Sequence, residues 1–251
     1  MRILVVIPTY NEAENIRELI PQILEQKKSI PFGEIDVLVV DDNSPDGTAD
    51  VVRELQKEHG EKVHLIVRPG KLGLGTAYVE GFKFALKNNY DFVFEMDADF
   101  SHDPNEIPKI LKGALDSYDM VIGSRYSHGV SVMNWPMSRV LLSYFANAYA
   151  RKMTGVPVKD LTSGFKCMSR KVLEKIDLDK IRSNGYAFQI ELTVKAYYKD
   201  LKITEHPIIF VERRSGVSKM NKKIVLEAFF MVIRLAFLRI SKFFRKKKNG
   251  S

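Results

Sequence analysis

The sequence predicts an α/β fold in which a mostly parallel sheet carries helices on both faces. Short apolar runs, typical of buried strands, alternate with segments of helical periodicity along the first half of the chain. This alternation is the pattern of parallel strands joined by crossover helices. Acidic residues directly follow two of the apolar runs, and open α/β sheets bind ligands at the carboxyl ends of their strands. We therefore expect a ligand site at that edge of the sheet.

Six apolar runs predict the strands of this sheet. Each run is short, rich in branched or aromatic residues, and bounded by charged or turn-forming residues, which separates it from a helical segment. Asp41 and Asp42 end the second run. A further short strand is expected after the turn that begins at Asp160. The six predicted strands cover 2–7, 35–40, 63–67, 91–97, 119–126 and 203–211.

Segments with apolar residues three and four positions apart predict the helices. Asn11 is suited to cap the first helix, Asp46 or Thr48 the second, and Pro104 to begin the fourth. The glycine-rich loop at 70–75 matches no phosphate-binding motif, and it is expected to act as a hinge with Lys71 near a phosphate. The predicted helices cover 12–27, 48–59, 76–87, 104–115, 139–152 and 188–198, and 127–137 is expected to be a mobile loop.

The predicted strand at 91–97 ends in a pair of carboxylates. Asp97 and Asp99 are two residues apart, so in an extended backbone they share a face, with Cα atoms roughly 6 to 7 Å apart. Such a pair suits Mg²⁺ or Mn²⁺, which often bind one or two carboxylates together with substrate phosphates. The alternative is a solvated turn in which Asp103 caps the next helix. A second acidic pair at the end of another strand favours the ligand site.

Charge and cysteine content exclude several classes of protein. The net charge is +8, and residues 222–248 carry all of it, with nine Lys and Arg and one Glu. A nucleic-acid-binding domain is usually basic over its folded body, so we expect no nucleic-acid partner. A single cysteine excludes an internal disulfide and fits a reducing compartment. The first apolar run is too short for a signal peptide, and we expect a cytoplasmic protein.

The basic end of the chain also has a broad apolar face. Glu227, Arg234 and Arg239 interrupt the apolar stretch at 224–244, which leaves it too short to span a membrane. We expect a catalytic domain over 1–221 and, over 222–251, an amphipathic helix and tail that lie on the membrane interface. The alternatives are a helix packed on the domain, a dimer contact, a small membrane-protein partner, or a natural chain that continues into spanning helices.

Several short motifs, in order along the chain, identify a family. They are Ile7-Pro-Thr-Tyr-Asn-Glu12, Val40-Asp-Asp-Asn-Ser-Pro-Asp-Gly-Thr48, Gly73-Leu-Gly-Thr-Ala-Tyr78, Asp97-Ala-Asp-Phe-Ser-His102, Gly123-Ser-Arg-Tyr126, Asp160-Leu-Thr-Ser-Gly-Phe165, Gly185-Tyr-Ala-Phe-Gln-Ile-Glu191 and Phe210-Val-Glu-Arg-Arg-Ser-Gly-Val-Ser-Lys219. Together they resemble the inverting family-two glycosyltransferases, and within them the polyprenol (dolichol) phosphate mannose synthases.

This resemblance implies a single-domain GT-A fold and a set of site residues. The guanosine and ribose of GDP-mannose would lie against Pro8, Tyr10, Glu12, Val40 and Asp42. The diphosphate, the sugar and the metal ion would lie against Asp97, Ala98 and Asp99, with Ser101 a metal ligand where some family members have Gln. The basic residues that would neutralise the diphosphate and the acceptor phosphate are Arg125, Arg139, Arg213 and Lys219.

The resemblance further implies transfer of mannose to a polyprenyl or dolichyl monophosphate at the cytoplasmic face of a membrane. Because the acceptor is already an anion, the reaction needs cations rather than a strong general base. The implied catalytic residues are Asp97, Asp99, Arg125 and Arg213. Two other functions stay open: a polyprenyl-phosphate glycosyltransferase with another donor such as UDP-glucose, and a non-catalytic membrane-bound protein that keeps the nucleotide-sugar fold.

Overall fold

A computed structural model describes residues 1–181, 183–212 and 228–239. The strands are β1 (Arg2–Thr9), β2 (Glu34–Asp41), β3 (Val63–Val67), β4 (Phe92–Glu95), β5 (Met120–Ser124), β6 (Val132–Met133), β7 (Lys166–Ser169), β8 (Ile203–Pro207) and β9 (Phe210–Val211). The helices are α1 (Ala13–Glu25), α2 (Thr48–His59), α3 (Leu74–Lys87), α4 (Ile107–Leu115), α5 (Met137–Thr154), α6 (Arg170–Lys175) and α7 (Gly185–Tyr198). Residues 228–239 form a further helical segment.

Seven of these strands form one sheet in the order β3-β2-β1-β4-β7-β5-β8. Only β7 among the described strands of this sheet runs antiparallel to its neighbours. The predicted mostly parallel sheet is therefore confirmed. Because the other six strands run in the same direction, their carboxyl ends share one edge. The loops at that edge carry the residues of the candidate site.

The alternation of side chains along the strands produces two cores, one on each face of the sheet. In β1, Ile3, Val5 and Ile7 pack with apolar residues of α1, α2 and α4, whereas Leu4 and Val6 pack with those of α3 and α7. All five side chains are fully buried. This follows from the two-residue period of a strand, which sends successive side chains to opposite faces. Helices therefore cover both faces, as predicted.

The structure corrects three expectations about the elements. The strand predicted over 91–97 ends at Glu95, so Asp97 and Asp99 lie in a loop and not in an extended strand. The loop predicted over 127–137 contains β6, and the strand predicted over 203–211 is divided into β8 and β9. The division occurs because the chain leaves the main sheet after Pro207 and pairs with β6.

The helical segment at 228–239 packs on the body of the protein. Val232 and Leu235 are buried in the core beside α3 and α7, and the ring of Phe229 stacks on Tyr149 with centroids 5.1 Å apart. Phe230 and Phe237 stay exposed. The segment therefore packs on the domain, which was one of the alternatives above, and it also keeps aromatic side chains exposed on its other side. None of the helices that the structure describes has the length and hydropathy needed to cross a bilayer.

Candidate active site

Polar side chains follow four parallel strands at the shared carboxyl edge. Asp42 follows β2, Arg68 follows β3, Asp97 follows β4 and Arg125 follows β5. A cleft of about 340 Å³ opens at this edge. The predicted site residues that line it are Pro8, Tyr10, Glu12, Asp42, Asp97, Ala98 and Asp99. Val40 does not line it, because its fully buried side chain packs in the core.

Asp42 is held at the cleft by a buried arginine that the sequence did not identify. Arg68 donates from Nε to Asp42 Oδ1 at 2.5 Å, and both residues are buried. The same guanidinium donates to Thr76 Oγ1 at 2.7 Å and to the carbonyl of Gly73 at 3.0 Å. A buried carboxylate needs such a counter-ion. Arg68 therefore joins the end of β2 to the glycine-rich loop before α3.

The glycine-rich loop approaches the cleft closely. Gly73 has φ +102°, and a Cβ there would lie 2.6 Å from Asn184 Oδ1, so only glycine fits this backbone and this contact. Asn184 in turn accepts a hydrogen bond from the amide of Gly75 at 3.2 Å. On the other side of the loop, the ammonium of Lys71 lies 4.1 Å from the centre of the Tyr10 ring. Lys71 thus lines the cleft, where a phosphate neighbour was expected.

Asp97 and Asp99 face a second, smaller cavity of about 60 Å³ that adjoins the cleft. Asp99 Oδ1 accepts hydrogen bonds from the amide of Ser101 at 3.1 Å and from its hydroxyl at 2.5 Å. The hydroxyl of Tyr78 lies 3.4 Å from Asp97 Oδ1. Burial and the Asp97 charge raise the pKa of Tyr78, so this group stays a neutral donor.

His102 lines the small cavity, and its imidazole ring is neutral. Its Nδ1 accepts a hydrogen bond from the amide of Asp97 at 3.2 Å, and its ring stacks on Phe165 at 4.9 Å. Burial lowers the pKa of His102 to about 4. The histidine therefore fixes the backbone at Asp97 without adding a positive charge near neutral pH.

Arg125 lies in the wall of the small cavity, and its charge is already paired. It donates from Nε and NH2 to the two carboxylate oxygens of Asp160, each at 2.7 Å, and from NH2 to Thr162 Oγ1 at 2.7 Å. Burial opposes charge on both groups, yet their pairing prevails: it raises the pKa of Arg125 and lowers the pKa of Asp160. Arg125 therefore also fixes the loop that follows Asp160.

Arg139 reaches the small cavity from the first turn of α5. Its guanidinium lies 4.1 Å from the centre of the Trp135 ring and donates to Glu212 Oε1 at 2.7 Å. Arg125 and Arg139 also line a third cavity, of about 240 Å³, whose other walls are mostly apolar side chains of α5, α7 and the segment at 228–239. The predicted basic residues Arg213 and Lys219 lie outside the described residues.

A buried ion pair lies in the sheet next to the site. Lys166 and Glu95 are fully buried, with Nζ and Oε2 3.5 Å apart, and Lys166 also donates to the carbonyl of Ser163 and to Gln189 Oε1. Burial lowers the pKa of Lys166 and raises that of Glu95. Sequence analysis did not identify this pair, because Glu95 ends β4 and Lys166 begins β7, and only the antiparallel pairing of these two strands brings the residues together.

The oxygen atoms at this edge of the sheet fit a hard divalent cation that takes its remaining ligands from a bound substrate. The described residues contain no group of three or more His, Cys, Asp and Glu placed to hold a metal by themselves. Asp97 and Asp99 nevertheless line the same small cavity with the Ser101 hydroxyl. Two carboxylates that need further oxygen ligands from a bound phosphate are typical of Mg²⁺ and Mn²⁺ sites.

A family model described as glycosyl transferase family 2 matches residues 4–177, which contain the strand ends at Asp42, Asp97 and Arg125. The chain belongs to this family. It is therefore a glycosyltransferase, and the resemblance seen in its motifs is confirmed. The match ends before α7, so it includes most of the cleft but not Gln189 or Tyr186.

Two curated relatives of this glycosyltransferase match almost its whole length. A polyprenol monophosphomannose synthase from Mycolicibacterium smegmatis is 44% identical over 231 residues, which cover 92% of this chain and 85% of the relative. An undecaprenyl-phosphate mannosyltransferase from Micrococcus luteus is 43% identical over 234 residues, 93% of each chain. Both names describe mannosyl transfer to a polyprenyl phosphate.

Solved structures confirm that the glycosyltransferase has a GT-A-like fold. The structure of glucosyl-3-phosphoglycerate synthase from Mycobacterium tuberculosis with phosphoglyceric acid matches with a TM-score of 0.68 at 18% identity, over 92% of this chain and 80% of that one. Mannosyl-3-phosphoglycerate synthase from Rubrobacter xylanophilus matches with a TM-score of 0.64 at 18% identity, over 98% of this chain and 76% of that one. At this identity the likeness shows the fold alone.

Proposed function

We propose that the protein transfers mannose from GDP-mannose to a polyprenyl monophosphate such as dolichyl phosphate. One observation carries the proposal: three cavities lie in series at one edge of the sheet. The cleft shares Asp97 and Asp99 with the small polar cavity, and the small cavity shares Arg125 and Arg139 with the third, mostly apolar cavity, which we call the apolar groove. This order suits the two substrates: the cleft can hold a nucleotide sugar, the small polar cavity a phosphate, and the apolar groove an isoprenoid chain. The relatives that transfer mannose to polyprenyl phosphates support the same assignment.

The donor nucleotide is assigned to the cleft. Pro8, Tyr10, Glu12 and Asp42 line its outer part and would bind the guanosine and ribose, with Asp42 kept in place by Arg68. An aromatic ring such as Tyr10 offers a stacking face for a base. Lys71 now lies over that ring, so donor binding would move Lys71 off Tyr10 and towards the diphosphate.

The diphosphate would meet Asp97, Ala98 and Asp99 together with a divalent cation. Asp97, Asp99 and Ser101 would hold Mg²⁺ or Mn²⁺, and the cation would stabilise charge on the departing nucleoside diphosphate. A crystal structure of the fold neighbour from Mycobacterium tuberculosis contains Mn²⁺ with UDP-glucose, which supports a divalent cation in this fold. Arg213 and Lys219 remain assigned to the phosphates, from the resemblance.

The acceptor phosphate is assigned to the small cavity, beside Arg125 and Arg139. Because this phosphate is an anion at neutral pH, it can attack the anomeric carbon without a general base, and a single in-line attack inverts the configuration there. Arg125 and Arg139 are paired with Asp160 and Glu212, so they hold the phosphate by directed N–H groups more than by net charge. The apolar groove then receives the first isoprene units.

Attachment to the cytoplasmic face of a membrane, as a peripheral protein, is part of the proposal. Apolar side chains are exposed on α5 and on the segment at 228–239, the two elements that also contribute walls to the groove, among them Met137, Phe145, Phe230 and Phe237. Basic residues follow this segment in the sequence. An apolar surface beside a basic tail suits an anionic bilayer interface, where the lipid acceptor resides.

A donor panel tests the proposed function. Purified protein, a polyprenyl phosphate in detergent and labelled GDP-mannose, GDP-glucose, UDP-glucose or UDP-galactose are incubated with Mg²⁺ or Mn²⁺, and the lipid product is analysed. We expect mannosyl transfer from GDP-mannose with inversion at the anomeric carbon. Faster transfer from UDP-glucose would establish the alternative donor, and no transfer to the polyprenyl phosphate from any donor would refute the proposed reaction.

A further inference from the structure

Tyr186 lies where the three cavities meet. It belongs to the first turn of α7, and it lines the cleft, the small cavity and the apolar groove. Among the residues that the structure describes, only Thr162 also lines all three. The carboxylates and arginines assigned above each line two. A side chain at this junction lies beside whatever passes from one cavity to the next.

The hydroxyl of Thr162 has no capacity left for a ligand. It donates to Asp160 Oδ1 at 3.2 Å, and it accepts from Arg125 NH2 at 2.7 Å and from Asn147 Nδ2 at 3.0 Å. A hydroxyl offers one donor and two acceptor lone pairs, so all three are used. Thr162 therefore shapes the junction without binding a substrate through its hydroxyl.

The hydroxyl of Tyr186, in contrast, is open to a ligand. The residue is half-buried and interacts electrostatically with Arg125, but its hydroxyl has no hydrogen-bond partner in the part of the chain that the structure describes. The backbone that carries it is anchored, because Asn184 Oδ1 accepts from the amide of Gly75 at 3.2 Å and Gly185 turns the chain with φ +55°. An unused polar group thus stands on a fixed backbone at the junction.

One part of the two proposed substrates touches all three cavities, and that part is the acceptor phosphate. Its ester oxygen carries the isoprenoid chain, which is assigned to the apolar groove. Its other oxygens are assigned to the small cavity, and one of them must reach the anomeric carbon from the cleft side. The nucleotide lies in the cleft alone and the lipid chain in the groove alone. A residue that lines all three cavities therefore lies beside the acceptor phosphate.

We propose that Tyr186 is a catalytic residue whose hydroxyl donates a hydrogen bond to the acceptor phosphate and directs one of its oxygens at the anomeric carbon. The proposal rests on the proposed function, because it assumes a lipid phosphate as acceptor. The attacking oxygen bonds to the anomeric carbon as the bond from that carbon to GDP breaks, and GDP leaves with the electron pair. The tyrosine keeps its proton throughout. Arg125 and Arg139 supply charge, and the hydroxyl supplies orientation.

The variant Tyr186→Phe removes the hydroxyl and keeps the ring. Initial rates with Mn²⁺, saturating GDP-mannose and increasing farnesyl phosphate, a short soluble acceptor, are compared with those of the wild type. We expect kcat/KM for the acceptor to fall about tenfold, while the affinity for GDP-mannose in a calorimetric titration stays unchanged. Unchanged kcat/KM, or an equal loss of affinity for GDP-mannose, would overturn the proposal.

Tyr118→Phe is the matched control for this substitution. Tyr118 is an exposed tyrosine just before β5 and lines none of the three cavities, so its variant should have the kinetics of the wild type. A loss of kcat/KM in Tyr118→Phe as large as in Tyr186→Phe would show that the effect is not specific to the junction, and it would also overturn the proposal.

The fluorescence of Trp135 separates contact with the phosphate from contact with the lipid chain. Trp135 is the single tryptophan of the sequence and lines both the small cavity and the apolar groove, so its emission should report a ligand there. Tyr186→Phe should bind farnesyl phosphate about tenfold more weakly than the wild type does, and farnesol equally well. Equal weakening for both ligands would show that the hydroxyl does not contact the phosphate.

Two features keep failure of this proposal distinct from failure of the proposed function. If Tyr186→Phe does not fold, Tyr186→Met also lacks the donor, and the same results are expected of it. A wild type that transfers no mannose from GDP-mannose to farnesyl phosphate or to a long polyprenyl phosphate refutes the proposed function itself. A wild type that does so, with unchanged acceptor kinetics in the Tyr186 variant, refutes only the role of Tyr186.

Discussion

Replacing Asp160 by Asn should destabilise the folded protein strongly. Asp160 is fully buried and accepts two hydrogen bonds of 2.7 Å from the guanidinium of Arg125, which is itself 4% exposed. The substitution keeps the size of the side chain but leaves the arginine without its counter-ion. Removing one partner of a buried pair costs about 3–5 kcal/mol. We expect about 3 kcal/mol, the lower end, because Asn keeps one acceptor oxygen.

Urea unfolding of the wild type, of Asp160→Asn and of a matched control measures this cost. The control is Glu54→Gln, which breaks the pair of Glu54 with Arg17 at 2.9 Å, where both side chains are more than half exposed. An exposed pair contributes about 1 kcal/mol at most. The double variant Asp160→Asn with Arg125→Met should recover part of the loss, because it removes the unpaired charge. If Asp160→Asn loses no more free energy of unfolding than the control does, Arg125 does not depend on Asp160 as its buried counter-ion.

Three further results are expected. Arg68→Met should weaken GDP binding about tenfold in a titration, because Asp42 loses the counter-ion that holds it at the cleft; wild-type affinity would contradict this. Burial lowers the pKa of His64, so the unfolded chain binds the proton more readily and stability should fall as the pH drops below about 6.5. His64→Gln should show less of this fall in urea unfolding, and identical pH dependence would refute it. A chain that ends at Arg239 keeps the packed helical segment but loses the basic end, and it should sediment less with anionic vesicles at low salt; equal sedimentation would place the membrane contact on the body.

The sheet and its acidic edge could be predicted because they follow from local patterns. The strands β1, β2 and β3 are short apolar runs next to turn-forming residues, and each was placed within one or two residues of its position. The shared edge follows from parallel strands alone, so Asp42 and Asp97 could be expected to meet. Asp103 caps the turn that begins at Pro104 and accepts a hydrogen bond from the amide of Asn105 at 2.9 Å, so the cap given as an alternative for this stretch is present beside the acidic pair.

The pairings inside the site could not be predicted, because they join residues that are distant in sequence. Arg139 and Glu212 are 73 positions apart and meet only because β6 pairs with β9. Lys166 reaches Glu95 because β7 is inserted antiparallel beside β4, which no periodicity indicates. Arg68 offered one signal, since it directly follows a predicted strand as the acids do.

The loop at Asp97 shows the limit of a prediction from strand geometry. An extended backbone would have placed Asp97 and Asp99 on one face, but β4 ends earlier, and Phe100 adopts φ +59°. This left-handed residue turns the chain, so the amide and the hydroxyl of Ser101 return to Asp99. The two carboxylates still line one cavity, but side-chain hydrogen bonds and a turn place them there.

Transfer of labelled mannose from GDP-mannose to a polyprenyl phosphate, by the wild type and by Asp99→Ala, tests the central claim most directly. Each protein is assayed with Mn²⁺ and with excess chelator, and its fold is checked by thermal unfolding. We expect turnover by the wild type with Mn²⁺, none in chelator, and none by a folded Asp99→Ala, because that variant loses a carboxylate of the proposed metal site. Full activity of Asp99→Ala, or undiminished turnover in chelator, would contradict the account.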